Sequence, residues 1–323
     1  MFNNLRELIL GMPDEKACIE YLVKQRWNGK PICPYCSCDK SYVIEGGKRF
    51  KCANSNCYKK YSVTVGTIFE ASKIPLVKWF TAVYILTAHK KGISSYQLAK
   101  DIGTSQMTAW FMNHRIREAL TVIAPALLDT IVEIDETWTG GKMKNKHKSV
   151  RKKAHDENLS HVDNKTGVMG FLQREGQLKL KVMDTDKTFK EQVKENVAPE
   201  AVIVTDSATA YKGLDKIYEG HEVVNHSEDE YVNERGFHTN SIEGSFGLFK
   251  RMVFGIYHQI SPKHTQRYLD EFTYRFNSRK IKDAERFVLT LGNIERRLTY
   301  KTLVYNGKSS QESSATKTTE TQK

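Results

Sequence analysis

The sequence predicts a multidomain protein of mixed α+β and α/β class. Five of its six cysteines lie between positions 33 and 57. Residues 75–127 have a helical period with few glycines or prolines, and from Asp129 onwards β-like runs alternate with helical stretches. The 323 residues correspond to roughly two domains at about 150 residues each. We therefore expect a cysteine-rich domain and a helical region, followed by a larger C-terminal domain built on a mixed sheet.

Composition and charge narrow the class of protein. Lys and Arg number 50 against 38 Asp and Glu, a net charge of +12 that favours a polyanionic partner such as nucleic acid. Hydrophobic residues make up 39% of the chain, which excludes global disorder. The longest apolar stretch, residues 81–88, is far shorter than the roughly 20 residues that span a bilayer. No secretory signal is visible at the start, so we expect a soluble intracellular protein.

A zinc ribbon is predicted over residues 30–70, after an N-terminal helical segment in residues 1–29. Cys33 and Cys36 form one close pair, Cys52 and Cys57 form a second, and fifteen residues separate the pairs. Two tight turns that each supply two thiolates provide the four ligands of a tetrahedral Zn²⁺ site. All four ligands come from the protein, which indicates a structural metal site. Cys38 is a spare thiol beside the first pair.

A helix-turn-helix is predicted within residues 75–127. Two helical runs flank Gly103, which supplies the sharp turn, and Thr104 or Ser105 caps the second run. Arg115 and Arg117 lie on this second run, the one that enters the major groove in proteins of this kind. We therefore expect both arginines to contact DNA.

Three carboxylates of the C-terminal half are candidates for a catalytic metal site. Asp135 and Asp206 each end a predicted strand, and Glu243 begins a predicted helix. Carboxylates on rigid elements can hold two hard cations about 3.5–4 Å apart for phosphoryl transfer. Lys250 follows Glu243 by seven residues, which returns it to nearly the same helix face, where it can contact a phosphate.

Other acids compete for these roles. Glu133 shares the strand face of Asp135 and can line the same cleft, whereas Glu136 points the other way. Acids at positions 228–230 and at Glu234 compete for the third place, although they lie in a polar stretch typical of a loop.

A polybasic stretch, residues 141–153, follows the first strand of the sheet. It contains seven Lys or Arg and no acid, and we interpret it as a loop that grips backbone phosphates. Its expected DNA contacts, besides Lys142, are Lys144, Lys146, Lys148, Arg151, Lys152 and Lys153.

The arrangement resembles the bacterial insertion-sequence transposases of the DDE type, in the branch that carries an N-terminal zinc ribbon. The resemblance runs from about Pro13 to Arg279. The matching stretches are CPYC, FEASKIPLVKWF, KKGISSYQLAKDIG, VEIDETWTGGK, TDSATAY, HTNSIEG, LFKR and SPKHTQRYLDEF.

This resemblance implies a ribonuclease H-like catalytic domain, which we place at residues 128–300. It implies Asp135, Asp206 and Glu243 as ligands of Mg²⁺ or Mn²⁺, and Lys250 as the lysine that follows the glutamate. Some relatives use Asn or His as the third ligand, and Asn240 and His238 stand close by.

The function expected is that of a DNA transposase. It binds terminal inverted repeats, cleaves the 3′ ends by metal-activated water and joins them to target DNA, with no covalent enzyme intermediate. The partner expected is double-stranded DNA, bound by a homodimer or higher oligomer in the bacterial cytoplasm, associated with the nucleoid. The alternatives are a catalytically inactive DNA-binding regulator and a stand-alone nuclease or resolvase. Residues 306–323 are expected to be disordered.

Overall fold

The structure, a computed structural model, describes residues 2–121, 127–157, 165–225 and 232–305. The tail predicted to be disordered, residues 306–323, lies outside the described residues. So do residues 226–231, which include the acids at 228–230.

The N-terminal part combines five helices with a small antiparallel sheet. The elements are α1 (Leu5–Gly11), α2 (Glu15–Trp27), β1 (Ser41–Ile44), β2 (Arg49–Cys52), β3 (Lys60–Tyr61), α3 (Leu76–Ala88), α4 (Ser95–Ile102) and α5 (Gln106–Leu120). Local chemistry sets the turn between α4 and α5. Gly103 ends α4 with φ 61°, and the Ser105 side chain accepts a hydrogen bond from the N–H of Thr108 at the start of α5. The predicted helix-turn-helix geometry is therefore present.

The C-terminal part alternates strands and helices. Its elements are β4 (Ile131–Thr139), α6 (Lys148–Asp156), β5 (Thr166–Gln173), β6 (Leu178–Val182), α7 (Phe189–Lys194), β7 (Val202–Asp206), β8 (Gly220–Val224), α8 (Asn240–Met252), α9 (Thr265–Asn277), α10 (Asp283–Gly292) and α11 (Tyr300–Val304). A π-helical turn, Val253–Tyr257, continues α8.

The five C-terminal strands form one mixed sheet in the order β6-β5-β4-β7-β8. The neighbours β6, β5 and β4 are antiparallel, while β7 is parallel to both β4 and β8. This topology is consistent with the ribonuclease H-like fold. It makes β4 the central strand, so that side chains of β4 are covered on both faces of the sheet.

Helices cover the two faces of this sheet. On one face α8 and α9 pack against β5 and β6 through the buried side chains Val168, Leu172, Leu178, Leu180, Ile242, Phe246, Phe249, Leu269 and Phe272. On the other face the core contains Val132, Ile134, Met169, Phe171, Val193, Val197, Ile203, Tyr211 and Leu214, which come from the sheet, α7 and the segment after β7. The odd-numbered residues of β4 that follow Ile131 therefore face α8.

Helix α10 belongs to the N-terminal core, although it lies within the range predicted for the catalytic domain. Its Phe287 contacts Phe80 and Tyr84 of α3, with ring centroids 5.7 and 6.1 Å apart. Leu291 and Ile294 join the same buried cluster. The chain thus returns to its N-terminal half after completing the sheet domain.

A buried ion-pair cluster joins α5 to α9. Glu271 is fully buried and accepts hydrogen bonds from Arg117 Nε, Arg275 Nη1 and the Tyr257 hydroxyl, each at 2.6 Å. Burial alone would raise the pKa of Glu271, but the charges of Arg275 and Arg117 lower it below its ordinary value. The helix-turn-helix is therefore attached to the sheet domain by a buried cluster of ion pairs.

Two local predictions were wrong. Asp135 lies in the middle of β4 instead of at its end, because the strand continues to Thr139 in antiparallel register with β5. The polybasic stretch is not a continuous loop, since a 3₁₀ turn occupies Met143–Asn145 and α6 begins at Lys148. Strand β8 was not predicted.

Candidate metal centres and nucleic-acid surfaces

The four predicted zinc ligands converge in the ribbon. The sulfur atoms of Cys33, Cys36, Cys52 and Cys57 all lie within 4.8 Å of one another. Cys33 Sγ is 3.8 Å from Cys57 Sγ, and Cys36 Sγ is 3.4 Å from Cys52 Sγ. A tetrahedral Zn²⁺ with bonds of about 2.3 Å places its sulfur ligands about 3.8 Å apart. The donor set and its spacing therefore fit a structural zinc ion.

Aromatic side chains pack the ribbon against α2. Trp27 at the end of α2 contacts Phe50 and Tyr61 edge to face, with centroids 6.1 and 5.9 Å apart. Cys38 lies outside the cluster, and its thiol contacts the carbonyl oxygen of Lys40 at 3.6 Å. The spare thiol thus remains available as a control position.

The proposed catalytic acids come from three different elements of the sheet domain. Asp135 lies on β4, Asp206 is the last residue of β7, and Glu243 lies in the first turn of α8. The parallel register pairs Glu133 with Val204, so two residues further along each strand Asp135 comes to lie beside Asp206. Both side chains then point to the sheet face that α8 covers.

A glycine allows α8 to approach Asp135. Gly170 is the partner of Asp135 on β5. A Cβ atom at Gly170 would lie 2.7 Å from the Phe246 ring and 2.8 Å from the Ile242 side chain, both on α8. The absence of a Cβ atom at Gly170 therefore allows α8 to pack directly on the sheet. This packing brings Glu243, the residue after Ile242, towards the strand carboxylates.

The electrostatics of Asp135 indicate that the acids are close together. Burial is the largest cause that raises the pKa of Asp135 to about 7. The hydrogen bond from the Glu136 N–H lowers this pKa, and the charges of Glu136, Asp206 and Glu243 raise it. The carboxylates nevertheless lie further apart than the ribbon thiols. Within the part of the chain that the structure describes, only the four cysteines place three or more such ligand atoms within 4.8 Å.

The neighbouring acids of β4 have other contacts. Glu136 faces the opposite side of the sheet, as predicted, and accepts a hydrogen bond of 2.6 Å from the Tyr211 hydroxyl. Glu133 is fully buried on the α8 side. It accepts hydrogen bonds from the N–H groups of Ser241 and Ile242, a contact that sequence reasoning missed.

Lys250 lies on α8 with an exposed side chain, seven residues after the equally exposed Glu243. Two helical turns separate the residues, so both lie on the same exposed side of α8. This placement agrees with the sequence prediction for the lysine.

The predicted DNA contacts of Arg115 and Arg117 are wrong in this structure, because both side chains are buried. Arg115 donates to the carbonyl oxygen of Glu70, and Arg117 pairs with Glu271 and lies 4.0 Å from the centre of the Tyr268 ring. Helix α5 is enclosed by α3, α4 and α9, so only its first turn, with Met107, is well exposed. The apolar run Ala109–Trp110–Phe111–Met112 leaves no continuous polar stripe on α5. This run was the sequence signal that the helix is buried.

The polybasic stretch, in contrast, is exposed. The exposed basic side chains are Lys142, Lys144, Lys148, Arg151 and Lys152, and Lys146 is half-buried. The side chain of Lys153 lies outside the described part of the structure. The basic residues of this stretch other than Lys153 form a positive surface on α6 and the turn before it.

Comparison with known proteins agrees with this organisation. Residues 13–60 match the model of the transposase zinc-ribbon domain, and residues 127–277 match that of the ISXO2-like transposase domain. The chain is 26% identical over 274 residues to an uncharacterized protein in transposable element ISH50 of Halobacterium salinarum, a match that covers 81% of this chain and 90% of the relative. No helix of the described residues is long and apolar enough to cross a membrane. Two domain matches in this order place the chain in the family of insertion-sequence transposases that carry an N-terminal zinc ribbon.

Proposed function

We propose that the protein is an active DNA transposase that binds the terminal inverted repeats of an insertion sequence, cuts their 3′ ends and joins them to target DNA. The observation that carries the proposal is the placement of Asp135, Asp206 and Glu243 on one side of the sheet, where burial first, and then neighbouring charges that include Asp206 and Glu243, raise the pKa of Asp135. Fixed carboxylates that repel one another are typical of a site built to hold cations.

Each group of residues has its own role in the proposed reaction. The three acids would hold Mg²⁺ or Mn²⁺, and cations of this kind would supply an activated water and stabilise the leaving oxygen. Strand pairing and the Gly170 contact hold the acids in place. Lys250, on the exposed side of α8, binds a phosphate next to the scissile bond. The chain needs no Ser or Tyr nucleophile for this reaction.

Because the arginines of α5 are buried, the proposed contact with the DNA duplex lies on the surface of the ribbon instead. Lys51 of β2 pairs with Tyr42 on one side and with Lys60 on the other, so the three side chains form a row across the outer face of the small sheet. Tyr42 is 61% exposed, and the ring of the exposed Tyr58 lies 5.2 Å from Lys51 Nζ. Lysines contact phosphates and tyrosines contact sugars, so this row and α6 are the proposed DNA contacts.

The double variant Lys51→Ala, Lys60→Ala tests this surface. Each lost phosphate contact should lower the slope of log affinity against log salt concentration by about 0.9. The expected slope is therefore less steep by about 2, whereas the matched variant Arg115→Lys should keep the wild-type slope. An unchanged slope in the double variant would remove the ribbon face from the interface.

A strand-transfer assay with the element's own ends tests the proposal as a whole. Purified protein, a labelled terminal-repeat duplex and a target plasmid are incubated in Mg²⁺ or Mn²⁺. A transposase nicks the 3′ ends and joins them to the plasmid. A nuclease or resolvase would nick without joining, and an inactive regulator would shift the duplex in a gel without cutting it.

Two further properties follow from the proposed reaction. Two ends of one element must be brought together, so a homodimer or higher oligomer is expected on DNA, which light scattering of the protein–DNA complex measures. The proposed substrate is chromosomal, so the cytoplasmic nucleoid is the proposed location.

A further inference from the structure

Helix α8 begins without a cap of its own. Its N-cap residue, Thr239, makes no side-chain hydrogen bond to a backbone N–H of the first turn, and its hydroxyl instead donates to Glu243 Oε1 at 3.4 Å. The N–H groups of Ser241 and Ile242 occupy the second and third helical positions, the ones that an N-cap side chain normally satisfies. A helix that begins this way inside a folded domain needs an acceptor from another element.

Glu133 of the central strand supplies that acceptor. Its Oε2 accepts hydrogen bonds from Ser241 N at 3.1 Å and from Ile242 N at 3.0 Å, and its side chain is fully buried. The positive end of the helix dipole faces a carboxylate here, and hydrogen bonds to an ionised group are about twice as strong as neutral ones. A single side chain therefore joins β4 to the start of α8.

The other oxygen of Glu133 is held as well. Arg174, which follows β5, donates from Nε to Oε1 at 3.2 Å and from Nη2 to the carbonyl oxygen of His238 at 3.3 Å. His238 Nδ1 lies 3.4 Å from the same Oε1 without hydrogen-bond geometry. Both carboxylate oxygens are thus engaged, so Glu133 is not placed to bind a cation, although it shares its strand face with Asp135.

We propose that Glu133 is the positioning residue that sets the distance between Asp135 and Glu243, with Arg174 orienting it. Glu133 lies two residues before Asp135 on β4, and the N–H that it holds belongs to Ile242, the residue before Glu243. The inference rests on the proposed function, because it assigns those two acids to one metal site. Outer contacts that orient a ligand typically change metal affinity by about 10–100-fold when removed.

The main test measures Mn²⁺ binding, by electron paramagnetic resonance of the free ion, to the zinc-loaded full-length protein. Glu133→Gln keeps the size of the side chain but removes its charge. Its amide N–H₂ group also takes the place of a carboxylate oxygen that accepts hydrogen bonds from Arg174, Ser241 or Ile242. We expect Mn²⁺ to bind at least about tenfold more weakly than to wild type. Arg174→Lys, a milder change, should weaken Mn²⁺ binding by a smaller factor and serves if Glu133→Gln does not fold.

The chain offers a matched control for a purely structural role. Glu15 of α2 accepts the N–H of Leu76 at 2.7 Å and so caps the start of α3, whose N-cap Pro75 makes no side-chain bond. Glu15→Gln also removes a carboxylate from the start of a helix, but this helix belongs to the N-terminal core and not to the sheet domain. It should lower the melting temperature and leave Mn²⁺ affinity unchanged.

A second readout is the Mn²⁺ concentration that gives half-maximal nicking of a terminal-repeat duplex. This concentration should rise in Glu133→Gln by the same factor as the binding constant, while binding of the duplex without divalent cation stays at the wild-type level. Equal Mn²⁺ affinity in Glu133→Gln and wild type would overturn the positioning role. Absence of Mn²⁺ binding in wild type would instead overturn the metal site itself, and with it the proposed function.

Discussion

The ribbon thiolates and the sheet carboxylates are two ligand sets with different physical origins. The four sulfur atoms lie within 4.8 Å of one another on turns of a small hairpin, whereas the three acids stand on two strands and a helix of a large core. The ribbon has only Cys33, Phe50, Cys52 and Tyr61 as its own buried cluster, so metal binding must supply much of its folding energy. The acids lie on elements that two large buried clusters hold in place. We infer that the first site depends on its metal to fold, whereas the second is positioned by the fold, in which burial and neighbouring charges raise the pKa of Asp135.

The largest expected effect is on catalysis by Glu243→Gln. The carboxamide keeps the helix and the side-chain size but removes charge that holds a cation, which costs several kcal/mol of transition-state stabilisation, or roughly a thousandfold in rate. Nicking of a labelled terminal-repeat duplex in Mg²⁺ and Mn²⁺ measures the rate. Binding of the duplex in a gel shift should stay within about twofold of wild type, because the ribbon and α6 are untouched.

Three variants accompany this measurement. Lys250→Ala should retain residual activity, because it removes a phosphate contact and no metal ligand. Asn240→Ala and His238→Ala examine the alternative third ligands. If Glu243→Gln nicks normally while Asn240→Ala or His238→Ala is inactive, the third ligand is misassigned.

The second effect, on the ribbon, follows from Cys52→Ser. Loss of one of four thiolates should abolish stoichiometric zinc and unfold the ribbon, and terminal-repeat binding should weaken by roughly a hundredfold as its phosphate contacts are lost. Zinc content by atomic absorption and gel shift measure the two outcomes. The sheet domain should keep its far-UV circular dichroism.

Cys38→Ser is the matched control for this variant, since the Cys38 thiol lies outside the cluster. It should retain zinc and binding. Equal zinc content in Cys52→Ser and wild type would refute the zinc assignment.

The smallest effect concerns stability without divalent cations and has a defined pH window. The pKa of Asp135 is about 7 in the folded chain against an ordinary value of 3.8. Between these values the folded chain binds more protons than the unfolded chain, so stability falls as the pH rises through this window. At pH 8, Asp135→Asn should therefore melt a few degrees above wild type, and the difference should shrink towards pH 4.

Scanning calorimetry of the zinc-loaded protein without added Mg²⁺ measures this difference. Asp129→Asn, which removes an exposed acid just before β4, is the matched control and should melt no higher than wild type at pH 8. A lower melting temperature for Asp135→Asn than for wild type at pH 8 would show that the acid site is not under electrostatic strain.

Local patterns in the sequence were sufficient for several features. The cysteine spacing predicts the ribbon because each pair is brought together by a turn of its own. The β-like runs at residues 131–138 and 201–207 predict strands that the structure contains, and Ser105 caps α5 as one of the two expected residues. These features depend on neighbours within a few residues along the chain.

Features that depend on distant residues were not predictable in this way. Arg117 is buried because Glu271, 154 residues later, lies opposite it, and α10 returns to the N-terminal core through Phe287. Sequence periodicity records that a residue is charged or apolar, but it does not record which element will cover it. The same reasoning explains why Arg115 and Arg117 looked like DNA contacts.

The sequence by itself determined the types of residue available for chemistry: four thiolates at ligand spacing, three acids on separate elements and a basic segment. Only the tertiary structure decided their environments. Glu133 and Asp135 lie on the same strand face two residues apart, yet Glu133 caps α8, whereas Asp135 lies beside Asp206 and its pKa is raised by burial and by the neighbouring acids. The physical reason is that burial and charge interactions act through space, so the role of a carboxylate depends on the groups that the fold packs around it.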